Sequence, residues 1–168
     1  MYKNIYLKHR KDESLKRFHP WIFSGAVHHM DKGIAEGDTV RVITAEGNCI
    51  AVGHYHIGTI TVRVLSFEDT TIDEGFWKGR IEKALAVRES IGIANRTDNN
   101  TYRLVHGEGD NLPGLVIDCY GSTAVMQAHS VGMHVCRGQI CKALVDVMGN
   151  RIQNVYYKSE TTLPFKAE

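Results

Sequence analysis

A glycine-rich loop between two apolar runs constrains this sequence more than any other feature. The runs Leu104–Val105 and Leu115–Ile117 flank a loop that holds three glycines, one proline and two acidic residues. Glycine and proline at this density mark special backbone angles, and short runs rich in β-branched residues on both sides predict strands. The same stretch is crowded with side chains that suit a catalytic site: His106, Glu108, Asp110 and Asp118.

The composition is that of an ordinary globular protein, with 43% hydrophobic and 23% charged residues. No run approaches the roughly 18 apolar residues that cross a bilayer, and the N-terminus lacks the apolar core of a signal peptide. The four cysteines show no CxxC spacing, which predicts reduced thiols in a cytoplasmic protein: Cys49, Cys119, Cys136 and Cys141.

Positive charge is concentrated at the N-terminal end of the chain. Residues 1–30 carry six Lys or Arg side chains against two acidic ones, although the whole chain has a net charge of only +1. This imbalance favours one surface that faces a polyanion. A solvated lysine-rich edge would explain the charge equally well.

The first 70 residues have the pattern of a small β-barrel. Short alternating segments separated by glycine turns predict strands at 4–7, 39–43, 49–53 and 59–65. Between the first two strands, Pro20 can begin a helical turn, and the core is expected to take Trp21, Ile22 and Phe23. His54 and His56 share one face of a strand, but no carboxylate or thiol at a fitting interval supports a metal site there.

The rest of the chain predicts a connecting segment and a small α+β domain. A helix over 71–92 begins with a capping box of Thr71 and Glu74, and a polar stretch over 94–101 follows it, so that 71–100 forms the connection. The domain over 101–168 combines strands at 102–106, 114–119, 123–128 and 152–157 with one helix at 132–148. The polar residues at the end of this domain form no helix cap and no final helix or strand. This predicts that the sequence is cut within a larger protein.

Taken together, these stretches resemble one known family. HPWIFSG over 19–25 and the barrel pattern up to Leu65 resemble the N-terminal PUA domain of a class of RNA methyltransferases. RLVHGEGDNLPGLVID over 103–118 resembles their small central domain, so the resemblance covers essentially the whole chain. It implies an S-adenosylmethionine-dependent enzyme that methylates C5 of a cytosine in large-subunit ribosomal RNA.

The same resemblance implies that RNA recognition and methyl transfer are carried out by different domains. In that family a Rossmann-like domain binds the methyl donor and carries a nucleophilic cysteine, and this chain has no fingerprint of such a domain. The chain is therefore expected to be the RNA-recognition portion, inactive alone and without a cofactor, metal or catalytic residue of its own. Its expected partners are ribosomal RNA and the methyltransferase domain of the same polypeptide, with a homodimer left open and no membrane contact.

Two groups of candidate residues follow. Basic, hydroxyl and ring side chains that could contact phosphates or stack on bases are Lys8, Lys16, Arg17, His19, Ser24, Tyr55, His56 and Arg63. The residues expected to shape the glycine-rich loop, or to face a further domain, are Arg103, Gly107, Glu108, Asp110, Pro113, Gly114 and Asp118.

Two other functions remain open from the sequence. The chain could be a stand-alone PUA-containing RNA-binding adaptor, which the coding sequence beyond residue 168 would reveal. It could instead be a small hydrolase that uses the loop acids and His106 for proton transfer or to hold a divalent metal. Against the hydrolase, Asp and Asn are favoured in turns simply because they cap backbone groups.

Overall fold

The computed structural model describes residues 2–163 of the chain, so the end of the predicted 101–168 domain lies outside the described residues. The architecture is α+β, as predicted, and the chain divides into two compact units, Met1–Thr71 and Ile72–Glu168. The helix predicted as a connecting segment lies within the second unit. No helix within residues 2–163 is long and apolar enough to cross a membrane.

The first unit is a curled six-stranded sheet with the strand order β2-β6-β5-β4-β1-β3. Strand β1 runs parallel to β4, and every other neighbouring pair is antiparallel. A single short helix, α1, follows the first strand. The elements are β1 (Lys3–Leu7), α1 (Glu13–Lys16), β2 (Trp21–Phe23), β3 (Val27–Met30), β4 (Thr39–Ile43), β5 (Cys49–Tyr55) and β6 (Ile60–Ser66).

The two outermost strands of this sheet are consecutive in the chain. A single 3-10 turn, Ser24–Ala26, joins β2 to β3. Three residues span only about 10 Å, so the opposite edges of the sheet must come close together and the sheet curls towards a barrel. The turn is held on both sides, because the backbone N–H of Ser24 donates to Thr59 O (2.9 Å) and that of Lys8 donates to Ala26 O (2.9 Å).

Alternating apolar residues fill the inside of the curled sheet. Ile5, Val40, Val42 and Val62 are fully buried and belong to one core cluster. The alternation predicted for the last strand is confirmed at Val62 and Val64, but Thr61, Leu65 and Ser66 on its other face are buried too. Strand β6 is therefore covered on both faces, which its sequence pattern did not predict.

The second unit packs helices against a four-stranded sheet with the order β10-β9-β8-β7. Helix α2 packs on α4, and Nε1 of buried Trp77 donates to Oε1 of Gln139 on α4 (3.0 Å). Lys142 and Glu74 add an exposed ion pair between these helices. The elements are α2 (Glu74–Ser90), β7 (Thr101–His106), β8 (Leu115–Tyr120), β9 (Thr123–Ala128), α3 (Val131–Val135), α4 (Arg137–Met148) and β10 (Asn154–Tyr157).

Two helix predictions are corrected by the structure. Helix α2 starts after Asp73, whose extended backbone lets its carboxylate accept from Phe76 N (2.9 Å), so Asp73 replaces the predicted Thr71 as the N-cap. The helix predicted over 132–148 is two helices that meet at Cys136, and it begins one residue earlier because Ser130 caps it through Met133 N.

Two edge strands of the first unit were missed. Residues 21–23 form β2 rather than the helical turn that Pro20 suggested, and the polar run around His28 and His29 forms β3. Strand β3 has no buried residue, so it lacks the alternation by which a strand is recognised in sequence.

Candidate nucleic-acid interface

An aromatic patch lies on the first unit around strand β2. It consists of His19, Trp21 and Phe23, with ring centroids 6.0 Å apart for His19 and Trp21 and 6.4 Å for Trp21 and Phe23, both edge to face, and of Phe18, which precedes His19 in the chain and whose ring meets that of Phe67 edge to face at 5.3 Å. Phe18 is 72% exposed and Phe23 is 44% exposed. Because successive strand residues point to opposite faces, burying Ile22 turns Trp21 and Phe23 outward.

This outcome corrects the prediction that Trp21, Ile22 and Phe23 are all core residues. Ile22 is buried, whereas Trp21 is half-buried and Phe23 is exposed. Successive residues of a strand face opposite sides, so a predicted strand over 21–23 would have shown that Trp21 and Phe23 face outward. Residues 21–23 were not predicted to be a strand, and this orientation was therefore missed.

Phe18 adopts a left-handed backbone conformation (φ +59) that bulky residues rarely take. It follows helix α1, where its N–H donates to Leu15 O (2.8 Å) and the N–H of His19 donates to Ser14 O (3.0 Å). Glycine usually takes this position after a helix because it has no Cβ penalty. An exposed phenylalanine here costs on the order of 1 kcal/mol of backbone strain, which points to a role outside the core.

A guanidinium completes the aromatic patch. Arg63 on β6 pairs in register with Trp21, and its Cζ lies 5.9 Å from the centroid of the Trp21 ring. Arginine over an aromatic face and a set of exposed rings are the groups with which proteins stack on nucleic acid bases and contact their phosphates.

The predicted basic residues lie at different points of the first unit. Lys16 and Arg17 are exposed at the end of α1, next in sequence to Phe18. Lys16 binds Asp12 (2.7 Å), which raises the pKa of Lys16 and lowers that of Asp12. Lys8 is exposed after β1, where its Nζ donates to Gly25 O (3.0 Å), and Ser24 is exposed at the start of the turn.

The predicted stacking pair on β5 is less accessible. Tyr55 is half-buried against the core, and Nδ1 of His56 lies 2.6 Å from Oε1 of Glu36, with both side chains largely buried. His54 is fully buried, and this desolvation lowers its pKa to about 4, so it is neutral at physiological pH. Within the described residues no group of three potential ligands could hold a metal ion.

In the second unit, an ion pair anchors the glycine-rich loop to helix α2. The two terminal guanidinium nitrogens of Arg88, Nη1 and Nη2, bind the carboxylate of Asp110, with Nη2 donating to Oδ2 at 2.8 Å, and the side chains are only 12% and 7% exposed. Arg88 Nε donates to Arg103 O (2.9 Å), and Asp110 also accepts from the backbone N–H of His106 (2.5 Å). Asp110 thus serves as a structural anchor.

The other predicted loop residues also have structural contacts. Arg103 and Asp118 form a cross-strand pair (2.7 and 3.0 Å), which raises the pKa of Arg103. Gly107 and Pro113 are buried, and Glu108 is half-buried in the 3-10 turn Gly107–Asp110. Asp110 and Asp118 are each held at two points by a guanidinium. This arrangement argues against the hydrolase that the sequence left open.

Gly114 is the position where the loop approaches the rest of the second unit most closely. Its φ is +87, and a Cβ placed there would lie 2.8 Å from Ser130 Oγ and 3.1 Å from Ser130 Cβ. Ser130 is buried and caps helix α3, so it has little freedom to move away.

An open cleft of about 940 Å³ lies beside this loop within the second unit. Its charged residues include the paired Arg88, Arg103, Asp110 and Asp118. Its apolar lining is exposed, with side chains from the end of α2, the segment after it and β8: Val87, Ile91, Ile93 and Tyr120.

The four cysteines are free thiols, as predicted. Burial raises the pKa of Cys119 and raises that of Cys136 to about 11. Neither thiol therefore has the lowered pKa that activates a nucleophilic cysteine.

The strands of the first unit coincide with the part of the chain that matches a known protein family. Residues 5–67 match the family model of the PUA-like domain, a span that covers all six strands of the curled sheet except the first residues of β1. Residues 5–67 form a PUA-like domain. The aromatic patch lies within this domain.

Curated relatives extend the similarity over both units. Ribosomal RNA large subunit methyltransferase I of Alteromonas mediterranea is 37% identical over 162 residues, which is 95% of this chain and 40% of the relative. The protein of the same name from Klebsiella pneumoniae is 35% identical over 146 residues, covering 86% of this chain and 36% of the relative. The chain is homologous to these methyltransferases and spans about two fifths of their length.

A solved structure has the same fold. A putative S-adenosylmethionine-dependent methyltransferase from Streptococcus mutans superimposes with a TM-score of 0.80 at 17% identity, covering 95% of this chain and 41% of that one. At this identity the likeness concerns the fold alone.

Proposed function

We propose that this chain is the RNA-recognition portion of an S-adenosylmethionine-dependent methyltransferase that modifies C5 of a cytosine in large-subunit ribosomal RNA. The observation that carries the proposal is the aromatic patch on the PUA-like domain, where exposed rings and a stacked guanidinium stand beside a basic helix end. Homology to ribosomal RNA methyltransferases supports ribosomal RNA as the partner.

RNA recognition fits the chemistry of the aromatic patch. Single-stranded loops and bulges of RNA expose base faces, which stack on aromatic side chains and on guanidinium planes. Trp21 and Phe23 offer such faces, and Lys16 and Arg17 can contact neighbouring phosphates. Phosphate contacts release counterions, so the affinity should fall as the salt concentration rises.

In this proposal the second unit contacts the methyltransferase domain and does not itself transfer the methyl group. Donor binding and methyl transfer would belong to a further Rossmann-like domain of the same cytoplasmic polypeptide, so the chain alone would bind neither S-adenosylmethionine nor a metal. The exposed apolar side chains Ile91 and Tyr120 in the cleft suit contact with that domain, because such residues are common where protein surfaces meet. In the alternative, the cleft contacts a second copy of this chain in a homodimer.

Binding of a large-subunit ribosomal RNA fragment by the 168-residue chain tests the proposal. Fluorescence anisotropy should show binding that weakens steeply between about 50 and 200 mM salt. Replacing Trp21 with alanine should lower the affinity at least about five-fold, since one base stack contributes on the order of 1–3 kcal/mol.

The matched control is Tyr156→Ala, which removes an aromatic side chain that is 59% exposed in the second unit. Its RNA affinity should equal that of the parent chain. Equal losses in both variants, or tight binding of S-adenosylmethionine measured by calorimetry, would contradict the proposal.

A further inference from the structure

A second cleft in the PUA-like domain carries three histidines. It has a volume of about 390 Å³, in the range of small ligand sites, and lies between the end of β1, strand β3 and the β4–β5 turn. We call it the histidine cleft, and its lining residues are Tyr6, Leu7, Lys8, His9, His28, His29, Thr44 and Ala45.

Stacked rings form one wall of the histidine cleft. Tyr6 and His29 are cross-strand partners of β1 and β3, and their rings lie parallel with centroids 4.2 Å apart and an interplanar angle of 10°. The ring of His28 meets that of His29 edge to face at 5.0 Å. His28 and His29 are exposed, so this wall presents flat ring surface and imidazole N–H groups to solvent.

The rim of the histidine cleft can contact an anion. Lys8 is exposed, and an ammonium group that donates once to Gly25 O keeps further N–H donors for a ligand. His9 is also exposed, and Glu46 on the β4–β5 turn lies 3.6 Å from its Nδ1. A flat ring wall beside a lysine matches a nucleotide, whose base stacks and whose phosphate accepts hydrogen bonds.

The histidine cleft and the aromatic patch are neighbours along the chain. Phe23 ends β2, His28 belongs to β3, and only the turn Ser24–Ala26 and Val27 lie between them. Five residue steps limit the separation of their Cα atoms to about 17 Å. Lys8 binds this turn through both its N–H and its Nζ, which places the lysine at the junction of the two surfaces.

We propose that the histidine cleft binds a second nucleotide of the same single-stranded RNA segment that stacks on the aromatic patch. The RNA would cross the turn Ser24–Ala26, with Lys8 contacting a phosphate and the ring wall of His28 and His29 contacting a base. This inference rests on the proposed function, and it adds a binding site and a direction for the RNA path.

Photo-crosslinking locates the RNA directly. A short single-stranded oligouridylate that carries 4-thiouridine is irradiated with the 168-residue chain, and the crosslinked peptides are identified by mass spectrometry. Crosslinks should map to the peptides that contain Tyr6–His9 and His28–His29, as well as to the aromatic patch.

Affinity measurements on variants separate the two proposals. Replacing His28 and His29 together with alanine should weaken oligouridylate binding at least about five-fold. Lys8→Gln, a surface change that leaves the rings in place, should reduce the salt slope of binding by about one. Circular dichroism confirms that each variant is folded, and Tyr156→Ala serves as the control.

The outcomes distinguish the histidine cleft from the proposed function. If Trp21→Ala weakens binding while the cleft variants bind like the parent chain, the histidine cleft is not part of the RNA path. If the parent chain binds no RNA at all, both proposals are wrong.

Discussion

Arg88 and Asp110 form a buried two-point ion pair that joins the last turns of helix α2 to the glycine-rich loop. The same two residues hold strand β7, because Arg88 donates to Arg103 O and Asp110 accepts from His106 N. Removing one partner would leave a charge in a poorly hydrated site. The loop is therefore fixed by electrostatics as well as by its glycines.

Replacing Asp110 with asparagine should lower the free energy of unfolding of the second unit by about 3–5 kcal/mol, the cost of leaving one buried charge without its partner. Denaturant titration measures this change. Arg96→Gln is the control, because its pair with Asp98 is exposed to water and salt, which screen the attraction, so its loss should change the free energy of unfolding far less. Similar losses in the two variants would contradict a special role for the buried pair.

Replacing Gly114 with alanine should destabilise the second unit by about 3 kcal/mol. The new Cβ would be strained by the positive φ and would clash with the buried Ser130. Gly92→Ala isolates the strain, since Gly92 has φ +74 and a Cβ there would meet nothing within 4 Å. That control should lose only about 1–2 kcal/mol in thermal or denaturant unfolding. If both substitutions cost the same, Ser130 must move without resistance.

His54 should make the first unit sensitive to acid. Its folded pKa of about 4 lies below the usual value of about 6.5, so the unfolded chain binds a proton that the folded chain does not. Stability from this source is complete above about pH 6.5 and falls by about 3 kcal/mol as the pH drops to about 4.

Unfolding of the parent chain and of His54→Gln, followed by hydrogen exchange of β5 amides across this pH range, checks the prediction. The variant should show a flatter pH profile than the parent. A variant profile as steep as that of the parent would mean that other groups cause the acid sensitivity.

Phe18→Gly should separate stability from RNA binding. Glycine relieves the left-handed strain after α1, but it loses more entropy on folding and removes the edge-to-face contact of Phe18 with Phe67, so we expect a stability within about 1 kcal/mol of the parent. RNA affinity should fall several-fold, because an exposed ring of the aromatic patch is lost. Thermal unfolding and anisotropy measure the two effects, and unchanged RNA affinity would remove Phe18 from the interface.

Much of the fold could be predicted because its pattern is local. Alternation identified β4 and β6, the apolar run Leu115–Ile117 identified β8, and the apolar spacing from Trp77 to Leu85 identified α2. Strand β3 was missed because its polar residues form an exposed edge, and the helix break at Cys136 has no proline to mark it. Edges and breaks depend on tertiary neighbours, which one sequence does not reveal.

The surroundings of the candidate residues were harder to predict than the strands and helices. The basic residues at the end of α1 follow from charge alone, whereas the outward orientation of Trp21 and Phe23 depends on Ile22 facing inward. The pair of Arg88 and Asp110 was not predicted, because the two residues lie 22 positions apart and no local rule connects them. Pairs of this kind are set by how the helix and the loop pack.

Strand β1 lies inside the sheet of the first unit, between β3 and β4, although it precedes both of them in the chain. Lys3 pairs with Val40 and Ile5 pairs with Met30. The strands that pair with the two edges of β1 are therefore synthesised well after β1 itself. Contacts so distant in sequence slow folding, because the loop between them must close before they form. During translation one edge of the nascent β1 can pair once β3 has left the ribosome, but the other edge would stay unpaired until β4 has emerged, a period in which a chaperone could bind it.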